Sequence, residues 1–203
     1  WTTYHELLCR RGVTPEVART TIRTNTTAIG AVMVHRSEAD SLICGTYGQF
    51  LWHLGYIRQV LARDGLRPVG ALSLMILDDG PLFIADTQVH PDPTPEQVVD
   101  VVIGAVRHAR RFGVTPKVAL CSHSQFGKMR AALELLDRRE ADFAYEGEMH
   151  VDAALDPEIR DRLLPDNRLE GAANVLVFAN TDAASGVRNI LKMKARGLEV
   201  GPI

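Results

Sequence analysis

After residue 70 the chain alternates regularly between short apolar runs rich in β-formers and longer segments with a helical stripe, joined by brief polar links. LSLMIL (72–77) and PLFIAD (81–86) flank an Asp-Asp-Gly turn and read as a hairpin. A helix follows, with Thr94 at its cap, Pro95 at the first helical position and Phe112-Gly113 as its stop. KVALC (117–121) is then a strand, 128–140 a helix, ANVLVF (173–178) a strand and 182–196 a helix, with Asp182 as the simplest N-cap. Continuous apolar strands are buried on both faces, and strands separated by helices are joined by crossovers that make them parallel. The fold class that follows is α/β, a mostly parallel sheet with helices on both faces and one hairpin.

In the first seventy residues, Thr14 caps a helix over 15–23 that opens with Pro15 and Glu16. TAIGAVMV (27–34) and SLICG (41–45) are short apolar runs bounded by polar residues, and both read as buried strands. Leu51, Leu54, Ile57, Val60 and Leu61 recur at three- and four-residue steps, which makes 50–63 a helix. Gly65, Pro68 and Gly70 then supply a link, dividing the chain into a first segment, 1–71, and a second, 72–203.

Composition narrows the function classes. Lys and Arg number 23 against 25 Asp and Glu, a formal net charge of -2, so no broad basic field draws nucleic acid or a membrane surface, and an anionic ligand has to be met locally. Cys9, Cys44 and Cys121 are odd in number and far apart, the pattern of reduced thiols in a cytoplasmic protein, and no paired Cys/His spacing points to structural zinc. No apolar stretch approaches the roughly 18 residues of a membrane span. Residues 1–11 have neither an initiator Met nor a signal-peptide layout, which reads as a domain cut from a longer chain or as a start lost to disorder.

In an open α/β sheet, ligands bind at the loops that follow the carboxyl ends of strands. CSHSQFG (121–127) sets Ser122, His123 and Ser124 between a strand and a helix, where backbone N–H groups could cradle a phosphate or a carbonyl oxygen; a plain polar turn is the alternative. The loop lacks phosphate-loop glycine spacing, and His123 between two serines makes a poor nucleophilic dyad because adjacent side chains do not face each other. FANTDAASG (178–186) offers Asn180 and Asp182 to a ligand or to a helix cap, and ADTQVHPDP (85–93) offers Asp86, Thr87 and His90 to a ligand or merely to the turn into the next helix. In YEGEMHVDAAL (145–155), Glu146, Glu148, His150 and Asp152 alternate and would share one strand face; a solvated or inter-subunit face is preferred there over a cation site, and no metal is assigned. ICGTYGQF (43–50) contributes Tyr47 at a strand-to-helix turn, and Arg58 two turns on either neutralises a phosphate or is simply solvated.

EADSLICG (38–45), LFIADTQVHPDPT (82–94), FGVTPKVALCSHSQFG (112–127), EGEMHVDAAL (146–155), ANVLVFANTDAASGVRNILK (173–192) and the terminal VGPI, in that order over nearly the whole chain, resemble the phosphate acetyl/butyryltransferase family. WTTYHELLCRRGVTPEVART (1–20) is similar to the junction at which large bacterial NADP-dependent malic enzymes pass from their catalytic part into a C-terminal phosphotransacetylase-like domain. SHSQF (122–126) resembles the malic-enzyme form of its loop more than the SYSTKGS-like form of the transferases.

The resemblance implies two three-layer α/β/α lobes facing across a cleft, the first lobe incomplete here. It implies a small-molecule acyl-CoA in that cleft, with acetyl-CoA as allosteric effector near Ser122, His123, Ser124, Asn180, Asp182, Asp86, Thr87, Tyr47 and Arg58. It also implies a homo-oligomer and an upstream malic-enzyme domain that alone would take malate, NADP and a divalent metal, Mg or Mn. No catalytic residue carries over, because the Ser-Arg-Gly signature to which transferase catalysis is ascribed does not occur in these residues. Acetyl transfer between CoA and phosphate in the same cleft is the rival reading, and a purely structural, oligomer-forming domain is a third. Two junctions are shorter than in relatives, Gly127 to Lys128 and Arg67-Pro68 to Val69-Gly70, and the expectation is that loop residues are left out at both.

Overall fold

Side-chain caps set the path of the first segment. The computed structural model describes residues 1–62, 70–123 and 127–203, and the chain divides into two units, Trp1–Arg67 and Pro68–Ile203. The first unit opens with α1 (Thr2–Leu8) and a 3₁₀ turn at Cys9–Arg11. Thr14 then accepts the Val17 N–H to start α2 (Pro15–Thr24), and Asn25 Oδ1 accepts the Ala28 N–H to start α3 (Thr26–His35). With α4 (Phe50–Leu61), these helices bury Tyr4, Leu8, Ala18, Ala28, Ala31 and Val60 against one another.

The two strands expected in this segment are absent. Residues 27–34 lie within α3, and 41–45 have no regular structure. A short apolar run has no period that separates a buried strand from a buried helix; here Asn25 caps a helix whose Ala28 and Ala31 are buried against its neighbours. SLICG instead packs onto α3: a Cβ at Gly30 would stand 2.5 Å from Leu42 Cδ1, while Ile43 next to it is 98% exposed. Gly65 and Pro68 of the expected link lie outside the described residues.

In the second unit the hairpin forms as read, β1 (Leu72–Leu77) antiparallel to β2 (Gly80–Ala85) with Leu77 opposite Gly80. Then come α5 (Pro95–Arg111), β3 (Lys117–Cys121), α6 (Lys128–Arg138), β4 (Ala144–Met149), α7 (Val151–Leu155), α8 (Pro157–Leu163), β5 (Val175–Phe178), α9 (Thr181–Lys194) and β6 (Leu198–Val200). The sheet order is β4-β3-β5-β2-β1-β6; the pairings from β4 through β2 are parallel, and the two made by β1 are antiparallel.

Alternate residues of each strand point to opposite faces. Leu72, Leu74, Phe83, Val118, Leu120, Val175 and Val177 meet α5 and α6 on one side. Met75, Leu82, Ile84, Ala119, Leu176 and Phe178 meet α7, α8 and α9 on the other. The mixed α/β class with a mostly parallel sheet therefore stands. The short edge strand β6 falls after the last helix, where no strand was expected.

Two local expectations change. Asn180, not Asp182, caps α9, its Oδ1 accepting the Ala183 N–H at 2.8 Å. The alternating Glu146, Glu148, His150 and Asp152 do not share a face, because β4 ends at Met149, His150 precedes α7 and Asp152 lies within it. Glu146 is instead committed to structure: Oε1 accepts the Gly147 N–H, and Oε2 accepts the backbone N–H and Nε–H of Arg168.

Candidate functional site

The parallel strands deliver their loops to one edge of the sheet. Ser122 and His123 follow β3, His150 follows β4, Ala179 to Asp182 follow β5, and Asp86 to His90 follow β2. Main-chain and side-chain bonds gather these loops. The Ser122 N–H donates to Met149 O at 3.0 Å, Thr181 Oγ1 donates to His90 O at 2.6 Å, and Lys128 Nζ donates to Ala179 O at 3.0 Å and to Asp92 Oδ1. Between the β3, β4 and β5 loops and α9 lies a cavity of about 530 Å³ with apolar walls from Val151, Phe178, Val187 and Ile190. Ser122, His123, His150, Asn180 and Asp182 supply its polar groups. The His123 and His150 rings stand 4.6 Å apart, and Nδ1 of the first meets Nε2 of the second at 2.8 Å, one donating to the other. The Cys121 thiol also lines the cavity, but burial pushes it up to about 12, so it stays a neutral thiol rather than a nucleophile.

Of the residues singled out in the sequence, Ser122, His123, Asn180 and Asp182 come together here, and Ser124 lies outside the described residues. Asp86 and Thr87 do not line the cavity. Asp86 is 4% exposed and accepts four backbone N–H groups, from Ala71, Gln88 and Val89 on Oδ1 and from His90 on Oδ2. The Thr87 hydroxyl is likewise buried, between Ser73 Oγ and Ala71 O. Both build the turn after β2.

Tyr47 and Arg58 belong to the first unit, and both side chains are exposed there. The buried His53 holds Tyr47's loop: Nε2 donates to Tyr47 O at 2.6 Å, while Nδ1 lies 2.7 Å from Thr27 Oγ1. Gly48 has a φ of 89°, and a Cβ on it would come within 3.1 Å of Nε2, so glycine is what lets the chain lie against that ring.

The sequence reading missed His150's pairing, His53 and Lys128. Lys128 carries a signal in hindsight: a cation in the first turn of a helix opposes the dipole, which asks for a local reason. At the opposite edge of the sheet, two adjoining grooves of about 650 Å³ each flank Phe143, with Arg110 paired to Asp142 and Arg168 to Asp137. The basic residues at the end of α5 there complement the negative end of its dipole. Among the described residues, no group of three or more His, Cys, Asp or Glu could hold a metal ion.

A parallel sheet with polar loops gathered at its carboxyl edge is the architecture of an α/β ligand-binding domain. The chain belongs to the phosphate acetyl/butaryl transferase family, whose model matches residues 1–203. It is 45% identical to the NADP-dependent malic enzyme of Salmonella typhimurium over 100% of this chain and 28% of that protein. It is 44% identical to the NAD-dependent malic enzyme of Rhizobium meliloti, covering 98% of this chain and 27% of that protein. To the phosphate acetyltransferase of Synechocystis sp. it is 30% identical, over 99% of this chain and 30% of that protein. The chain thus spans under a third of the curated relatives it matches. The first alignment runs over 213 positions against 203 residues, so that relative carries positions in this span that the chain lacks.

Among solved structures, a phosphotransacetylase from Streptococcus pyogenes superposes with a TM-score of 0.88 at 24% identity, over 99% of this chain and 64% of that one. The EutD phosphotransacetylase from Staphylococcus aureus gives 0.81 at 23%, over 100% of this chain and 66% of that one. These two establish the fold.

Proposed function

We propose that the chain is the phosphotransacetylase-like regulatory and oligomerisation domain of an NADP-dependent, decarboxylating malic enzyme, and that the cavity at the carboxyl edge of the sheet takes acetyl-CoA as an allosteric effector. The observation that carries this reading is the 45% identity to a malic enzyme over the whole chain at 28% of that protein's length. The homology to the corresponding region of malic enzymes is plain; the effector role is the proposal. A cavity of about 530 Å³ is of ordinary size for a small-molecule site, and its apolar walls suit an acyl and pantetheine end better than a phosphate. Ser122, Asn180 and Asp182 supply its polar partners. Malate, NADP and the divalent metal that decarboxylation needs belong to an upstream domain. A cytoplasmic location accords with three unpaired cysteines and with no described helix being long and apolar enough to cross a membrane.

The test uses the full-length protein. NADP-dependent malate oxidation is followed with and without acetyl-CoA, and acetyl-CoA binding is measured by calorimetry. An effector-dependent rate, abolished by Ser122→Ala at unchanged basal rate, supports the reading; no binding at millimolar acetyl-CoA sinks it. An active phosphate acetyltransferase is the second reading, favoured by the 30% identity to one such enzyme over 99% of this chain. Acetyl phosphate formation from acetyl-CoA and phosphate, lost on Ser122→Ala, would put it first.

A further inference from the structure

The walls of the carboxyl-edge cavity hold an imbalance of charge. Among its described lining residues there is no Lys and no Arg, while Asp182 brings a carboxylate. The ammonium nearest along the network, Lys128 on α6, is committed to Asp92 and to the Ala179 carbonyl. Glu148 on β4 and Asp152 on α7 add acids, the latter accepting the Ala153 N–H, while on α9 Arg188 and Lys192 are paired with Glu199. The whole chain is slightly acidic, with no field to draw an anion in. An anionic group entering this cavity therefore finds two side chains able to become positive, His123 and His150.

We infer that the His123–His150 couple is a proton-linked anion receptor: the cavity takes up a solvent proton on this couple when a phosphate- or carboxylate-bearing ligand docks. In the neutral couple one ring nitrogen donates across the 2.8 Å contact and the other accepts. A proton added to an outer nitrogen gives an imidazolium–imidazole couple that keeps the same hydrogen bond, now charge-assisted and stronger. A second added proton would set N–H against N–H, so the couple takes one. The rings sit on two different loops and are exposed, so the new charge meets a ligand at the mouth while the apolar walls stay dry. This inference rests on reading the cavity as a ligand site.

The experiment is calorimetry of acetyl-CoA binding to the full-length protein in buffers of different ionisation enthalpy, repeated from pH 8 to pH 6, the range in which histidines change charge. The substitutions His123→Asn and His150→Gln each keep an amide where the paired nitrogen lies and remove the titrating ring. Because both side chains are exposed, the variants should fold, and an unchanged melting temperature checks this. The ligand's own phosphates titrate equally in every protein and cancel in the difference.

The expected result is uptake of a fraction of one proton by the wild type beyond that of either variant. Its affinity should rise toward the acid end by up to about tenfold per pH unit relative to the variants. Binding with the same proton uptake in wild type and variants overturns this inference and leaves the ligand site standing. Failure of acetyl-CoA to bind at any of these pH values overturns both.

Discussion

Four backbone N–H groups converge on the carboxylate of Asp86, and nothing in the residue type announces it. An Asp after a strand is as good a ligand group as it is a turn builder, so the sequence places Asp86 and Thr87 at the site, and only their burial shows that they hold the loop. Asp86→Ala strands those amides, and the expected loss is about 2–4 kcal/mol in urea unfolding, with Asp86→Asn recovering part of it through its one remaining oxygen. The three cysteines divide in the opposite sense. Cys9 and Cys44 are exposed, whereas burial holds the Cys121 thiol at about 12, so iodoacetamide at pH 8 should add to two sites in the folded protein and to three in denaturant, counted by intact mass. On the far edge, the Tyr145 hydroxyl first and Arg168 second hold the Asp137 carboxyl below the usual carboxylate range. A carboxyl lowered in the folded state stabilises above its unfolded value, and that stability is lost as pH falls through the folded value. Asp137 is half exposed, so the effect stays under about 1 kcal/mol, and Tyr145→Phe, which leaves Arg168 in place, should flatten the acid limb of a stability-versus-pH curve by part of that amount.

At the scale of elements, legibility followed the caps. Thr14 and Thr94 announce α2 and α5, and both accept the N–H three residues on. At Thr94 the Gln97 side chain also returns the bond to the cap's own N–H. Asn25 announces α3 in the same way, yet TAIGAVMV reads as a strand because its apolar residues run right round the helix and leave no period to find. What makes it a helix is tertiary: Gly30 accepts Leu42, and Ala28 and Ala31 pack against neighbouring helices. If the cap is what tips that balance, Asn25→Ala should cost about 1–2 kcal/mol in chemical denaturation. Thr94→Ala, on a long helix already held by Val98, Val99, Val102 and Ala109, should cost about 1 kcal/mol or less. The site was half legible for a related reason. Strand-end position marks Ser122, Asn180 and Asp182, but the partner of His123 sits 27 residues away and is set by the β3–β4 pairing, which one sequence does not reveal.

For the whole molecule, coupling is what separates a regulatory domain from one that merely assembles. If acetyl-CoA bound here shifts the affinity of an upstream malic-enzyme site for NADP by some factor, thermodynamic linkage requires NADP to shift acetyl-CoA affinity by the same factor. Such couplings commonly amount to about 5- to 150-fold. Acetyl-CoA titrations of the full-length protein with and without saturating NADP, and the converse pair, should therefore return one common ratio above unity. A ratio of one in both directions, together with a malate oxidation rate that acetyl-CoA does not change, would assign the domain to assembly alone, with its cavity uncoupled. The malic-enzyme relatives are more than three times the length of these 203 residues, so in a protein of that size such a coupling would cross contacts beyond them. Substitutions confined to the cavity, such as Ser122→Ala, should lower acetyl-CoA affinity while leaving the NADP affinity of the effector-free protein where it was. Loss of both affinities together would instead mean that the domain's fold, rather than its ligand, is what the upstream site senses.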